Sequence, residues 1–150
     1  MGAGAIPIHI DKVFRDRAAG KYKLKVYTAD FDYEGEDCIN VSFHNGHYTL
    51  TPPKALILDY RFGRKKEKEF EKEYFEFLKE SFIQYQFNWD NLLDSKRIVL
   101  VCKCNMDDKG CHRYFLIKFL KKFGAAYKGK LKTKKPNLLD IKPLSWYVQV

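Results

Sequence analysis

The chain reads as a small α/β protein of Rossmann-like type, a mostly parallel sheet flanked by helices. Three observations predict this. Residues 97–102 contain Ile-Val-Leu-Val with no polar alternation, the pattern of a strand covered on both faces. A polar connection then leads to Cys111-His112-Arg113, and Tyr114, Phe115, Ile117, Phe119 and Leu120 follow at helical spacing before Gly124, a residue suited to close a helix. Strand, connection and helix make half of a βαβ unit. Upstream, residues 21–28 and 38–43 alternate apolar and polar side chains, which predicts two further strands.

The remaining elements follow in order. Residues 1–20 are mixed in character and read as a peripheral segment with a short helix over 11–17. Residues 31–36 read as a loop turning at Gly35, and residues 44–47, His-Asn-Gly-His, carry a turn signal. Pro52-Pro53 favours an extended approach to residues 54–61, which read as a short helix or an irregular packed segment. From residue 64 to about 86, Phe70, Tyr74, Phe77, Leu78 and Tyr85 recur three and four apart with Lys and Glu opposite, the pattern of an amphipathic helix packed on a core. Residues 88–94 read as a connection anchored by Trp89. No repeat interrupts the α/β domain, placed at 21–130, and residues 131–150 read as a tail docked on it.

The chain has 150 residues, 45% of them apolar, enough for one domain with a core. No apolar run approaches the roughly 20 residues of a membrane span, so no membrane is expected as a partner. The start lacks the basic and apolar regions of a signal peptide. Four cysteines, three of them crowded at 102, 104 and 111, suit reduced thiols in a cytoplasm better than a disulfide framework.

The net charge of +9 comes largely from late lysines, among them Lys128, Lys130, Lys132, Lys134 and Lys135. They are the candidate nucleic-acid contacts, a phosphate-facing patch. The competing reading is a solvated lysine-rich surface, because arginine is sparse there and lysine reads bases poorly.

The chemistry concentrates between residues 102 and 113. Ligands of open α/β sheets gather where a strand ends and the next helix begins. A helix start offers unpaired N–H groups and partial positive charge. Cys111 there is the candidate thiolate and His112 the candidate acid/base or orienting group. Arg113 is the candidate anion contact, with Cys102 and Cys104 beside it as ligand-binding residues. This reading requires Cys111 to begin a helix whose tip opens onto solvent.

The same residues admit a metal site or a purely structural role. Cys102, Cys104, Cys111 and His112 are ligand types that suit zinc, but Cys-x-Cys and adjacent Cys-His depart from the usual zinc spacings, so spacing favours no metal. Zinc is therefore possible, and no cofactor is required. In the structural role the cysteines are small core residues, and His112 and Arg113 hold the loop.

The strand ending in Cys102, followed by Cys111-His112-Arg113 at a helix start, resembles the domain of unknown function 488 family. Val26-Tyr27-Thr28, Thr51-Pro52 through Tyr60, and the helix carrying Tyr74 are similar to its first strand, its central proline-containing segment and its amphipathic helix. The resemblance spans most of residues 22–130, with Cys111-His112-Arg113 its specific part. Cys104 stands where that family often has an acidic residue. The Cys-x-Cys form is similar to a related family, domain of unknown function 4326. The resemblance implies a Rossmann-like domain in a bacterial, archaeal or viral cytoplasm and supplies no established activity.

Three functions compete. The first is a protein that binds a phosphorylated or nucleotide-like anionic small molecule at the Cys-His-Arg turn and modifies it through a thiolate. The second is a basic nucleic-acid-binding module. The third is a non-catalytic interaction protein of a mobile element or virus, engaging a partner through the tail around Trp146.

Overall fold

The computed structural model describes residues 9–43, 46–103 and 111–131. In chain order the elements are α1 (Ile10–Ala19), β1 (Lys25–Thr28), β2 (Cys38–Asn40), α2 (Lys54–Arg61), α3 (Glu67–Gln84), α4 (Gln86–Leu93), β3 (Arg97–Val101), α5 (His112–Lys121) and β4 (Ala126–Lys130). The four strands form one sheet in the order β2-β3-β1-β4, and every pairing is parallel. The protein is a small Rossmann-like α/β domain, as the apolar run and the strand–helix pattern predict.

β3 lies inside the sheet, and Ile98, Val99, Leu100 and Val101 are all buried. Alternation sends Ile98, Leu100 and Cys102 to the face that shares a core with Leu24, Val26 and the helices, while Val99 and Val101 join Ala29 on the other face. That second face is covered in part by Tyr33 from the 29–37 connection. Burial of each aliphatic side chain stabilises by about 1.5–3 kcal/mol, so this strand anchors the sheet.

α5 is buried almost all round, with Lys118 and Lys121 exposed. Such a helix belongs in the middle of a domain. Its C-terminal half meets aromatic rings from three other elements: Phe119 lies 5.6 Å from Phe14 of α1, 5.4 Å from Phe75 of α3 and 5.8 Å from Trp89 of α4, centre to centre. Gly124 ends it at φ +89°, where a Cβ would lie 2.8 Å from the Ala18 Cα of α1. The N-terminal helix thus contributes Phe14 to the main core.

Two elements differ from expectation. Residues 88–93 belong to a helix, α4, with Asp94 as its C-cap, and not to a connection; the chain bends at Tyr85 (φ −122°, ψ 48°), which separates α4 from α3. Trp89 is the expected anchor, buried and donating its indole N–H to Ser81 Oγ at 3.0 Å. β4 falls among residues read only for their charge. It pairs with β1 alone and carries a register shift between Val26 and Tyr27, with Gly129 at φ +102°. Residues 54–61 resolve as a helix, and β2 stops at Asn40, short of the expected residue 43.

Candidate functional site

The site lies at the C-terminal edge of the sheet, between β1 and β3. β1 and β3 are neighbours, yet β1 leads toward β2 on one side and β3 leads through α5 to β4 on the other. α5 packs in the core on the helical face, and the 29–37 connection lies against the opposite one. The two connections leave the same edge and pass over opposite faces of the sheet, the first past β3 and the second past β1; the carboxyl edge of a parallel sheet is where such folds bind ligands.

Four of the expected residues meet there. Cys102 follows the last residue of β3, and Cys111 is the N-cap of α5 in extended conformation (φ −76°, ψ 137°). Cys102, Cys111 and His112 each offer one sulfur or nitrogen, and these atoms all lie within 4.8 Å of one another. The His112 Nε2 is 3.7 Å from Cys102 Sγ, and it also donates to the Val41 carbonyl. Arg113 turns back over the helix start: its Nε donates to Cys111 Sγ at 3.2 Å and its Nη1 to the Ala29 carbonyl at 3.0 Å. Ala29 directly follows β1, so Arg113 ties the end of β1 to the start of α5.

One part of the expectation is corrected. Cys111 does begin the helix, but the site does not open onto solvent: Cys111 is 1%, His112 and Arg113 3% and Cys102 4% exposed. The cause is the packing of α5, which buries its first turn more fully than its last, where Lys118 and Lys121 are exposed. Cys104 lies outside the described residues, as do Lys132, Lys134, Lys135 and the tail around Trp146. Lys128 and Lys130 are exposed on β4, and Lys130 pairs with Asp30 at 2.8 Å.

Residues that the sequence did not point to complete the surroundings. Tyr74 of α3 stands edge-on to His112 with ring centres 6.5 Å apart, and donates to the Leu50 carbonyl at 2.5 Å. Burial pushes its phenol well above the ordinary value, and the Cys111 and Cys102 sulfurs push the same way. Ser42 is buried and accepts the Lys103 backbone N–H at 2.6 Å, fixing the chain as it leaves β3. Thr51 Oγ1 is buried without a hydrogen-bond partner among the described residues. It sits close to Gly46, whose missing Cβ would lie 2.4 Å from it and 2.0 Å from the Ser42 carbonyl oxygen. The helical spacing of Tyr74 signals a core position, and nothing in that spacing points to His112.

A hollow of about 480 Å³ lies at the opposite edge, lined by Arg17, Tyr22, Leu93, Asp94 and Phe123 among others. It borders Leu24 and Ala125, which precede β1 and β4. Its rim is occupied by the Arg17–Asp94 ion pair at 2.9 Å, and it lacks the thiols and imidazole of the other edge.

Among the described residues no helix is long and apolar enough to cross a membrane. Compared with protein-family models, curated proteins and solved structures, the chain matches none of them.

Proposed function

We propose that the chain binds an anionic small molecule, phosphorylated or nucleotide-like, at the C-terminal edge between β1 and β3. The observation that carries this reading is the meeting of Cys102, Cys111, His112 and Arg113 at the carboxyl ends of neighbouring parallel strands. Purely structural packing does not need an imidazole, a guanidinium and two thiols in one buried place, because each buried polar group has to be matched by a partner.

In this reading Cys111 is the thiolate. The helix start and the Arg113 N–H both favour a negative sulfur. Arg113 also supplies positive charge for the ligand's oxyanion. His112, held by the Val41 carbonyl, orients the site or moves a proton. The four side chains are buried, so ligand entry requires local opening around the start of α5. The reading needs no cofactor, and the ligand types are compatible with zinc. It is in keeping with the resemblance of Cys111-His112-Arg113 to the Cys-His-Arg element of the domain of unknown function 488 family.

Equilibrium binding of a nucleoside monophosphate and of its unphosphorylated nucleoside tests it. Affinity should depend on the phosphate, weaken in Arg113→Lys and fall with added inorganic phosphate. Equal behaviour of the two compounds, or none binding, contradicts the reading.

A further inference from the structure

We infer that Cys102, Cys111 and His112 form a site for a thiophilic divalent metal of the zinc class. The inference goes beyond the anion reading and does not depend on it. Sequence spacing argues against a zinc motif, yet the fold assembles ligands that spacing keeps apart. Two sulfurs and an imidazole nitrogen lie within 4.8 Å of one another, all buried, on the end of a central strand and the start of the helix that follows it. A tetrahedral ion bound to sulfur at about 2.3 Å and to nitrogen at about 2.0–2.1 Å sets those atoms about 3.6 Å apart. Cys102 Sγ and His112 Nε2 are already 3.7 Å apart.

The surroundings fit the same chemistry. Metal-bound thiolates keep negative character, and the Arg113 Nε–H at 3.2 Å from Cys111 Sγ is an outer-shell donor of the kind that tunes such a ligand. Ligation through His112 Nε2 moves the imidazole proton to Nδ1 and exchanges the Val41 contact for the metal bond. The two thiols give up their protons on binding, so metal uptake releases acid. The three ligands found among the described residues occupy three corners of a tetrahedron.

The test uses the full reduced chain. Protein purified without chelator should carry close to one zinc, and cobalt added to chelator-treated protein should give the intense visible spectrum of a tetrahedral thiolate site. Cys102→Ser and Cys111→Ser should each weaken metal affinity beyond the roughly hundredfold limit of an outer-shell change, and Arg113→Lys should weaken it about tenfold. His112→Cys should keep the metal with added thiolate-to-cobalt charge transfer. Cys38→Ser should change nothing.

Because a ligand variant can fail to fold, proton release on adding zinc to the wild-type chain is measured alongside. Folded wild-type protein that takes up neither zinc nor cobalt and releases no protons overturns the inference, as does equal loss of binding in Cys38→Ser. Metal-free protein that still binds a nucleoside monophosphate would leave the anion reading standing without this one. Metal-loaded protein indifferent to phosphate would do the reverse.

Discussion

The two halves of α5 both bury side chains in the domain and are chemically opposite. Its C-terminal half places Phe119 among Phe14, Phe75, Trp89 and Phe123, ring against ring. Its N-terminal turn places Cys111, His112 and Arg113 against backbone carbonyls and a second thiol. The aromatic end gains stability from every contact. The polar end must offset the desolvation of each group with a partner. Burial alone therefore does not separate core from site on this helix; what the buried groups do with their hydrogen bonds does.

Substitutions at the two ends should break in different ways. Phe119→Ala removes the centre of the aromatic cluster and should cost about 3–5 kcal/mol in urea unfolding, with the Cys111 alkylation rate per folded molecule unchanged. Arg113→Gln should cost less, about 1–3 kcal/mol for the Ala29 carbonyl left without its donor, but should alter the pH dependence of Cys111 alkylation. If both variants changed stability alone, the distinction between the halves would collapse. Tyr74→Phe bridges the two, since the ring packs in the core and the hydroxyl holds the Leu50 carbonyl. It should cost about 1 kcal/mol and leave the helix start intact.

The smallest effect sharpens the picture at the far end of β3. Burial alone would raise the Asp37 carboxyl, but hydrogen bonds from Tyr33 and Arg97 outweigh it and hold the carboxyl below its ordinary value. A carboxylate depressed in the folded state adds stability that is complete above its unfolded value and lost as pH falls through the folded one. Acid unfolding of Asp37→Asn should lack that component, while the wild-type chain shows it below the usual carboxylate range. An identical acid profile in both would remove this cluster from the account.

Much of this was legible in the sequence, for reasons that particular residues make clear. β3 announced itself because a strand covered on both faces cannot alternate, and α5 because its rings recur at helical spacing up to Gly124. α4 was hidden because it is two turns long and begins at the bend after Tyr85, so its apolar residues continue no stripe. β4 was hidden because an edge strand of Ala-Tyr-Lys-Gly-Lys, half exposed, has neither alternation nor β-branched residues. Cys102, Cys111, His112 and Arg113 could be named as a group, since residue types near a helix start are readable. Their partners could not be. The Ala29 and Val41 carbonyls come from other strand ends, and backbone groups leave no mark in composition. The burial of the site was equally unreadable, because it depends on how deep α5 sits.

The most direct test of the site is the alkylation of Cys111 by a thiol probe, followed by peptide mapping with Cys38, a half-buried thiol of another strand, as internal control. A nucleoside monophosphate should slow modification of Cys111 and leave Cys38 unaffected. Unchanged rates at both thiols across the full range of phosphate compounds would contradict a ligand site at the start of α5.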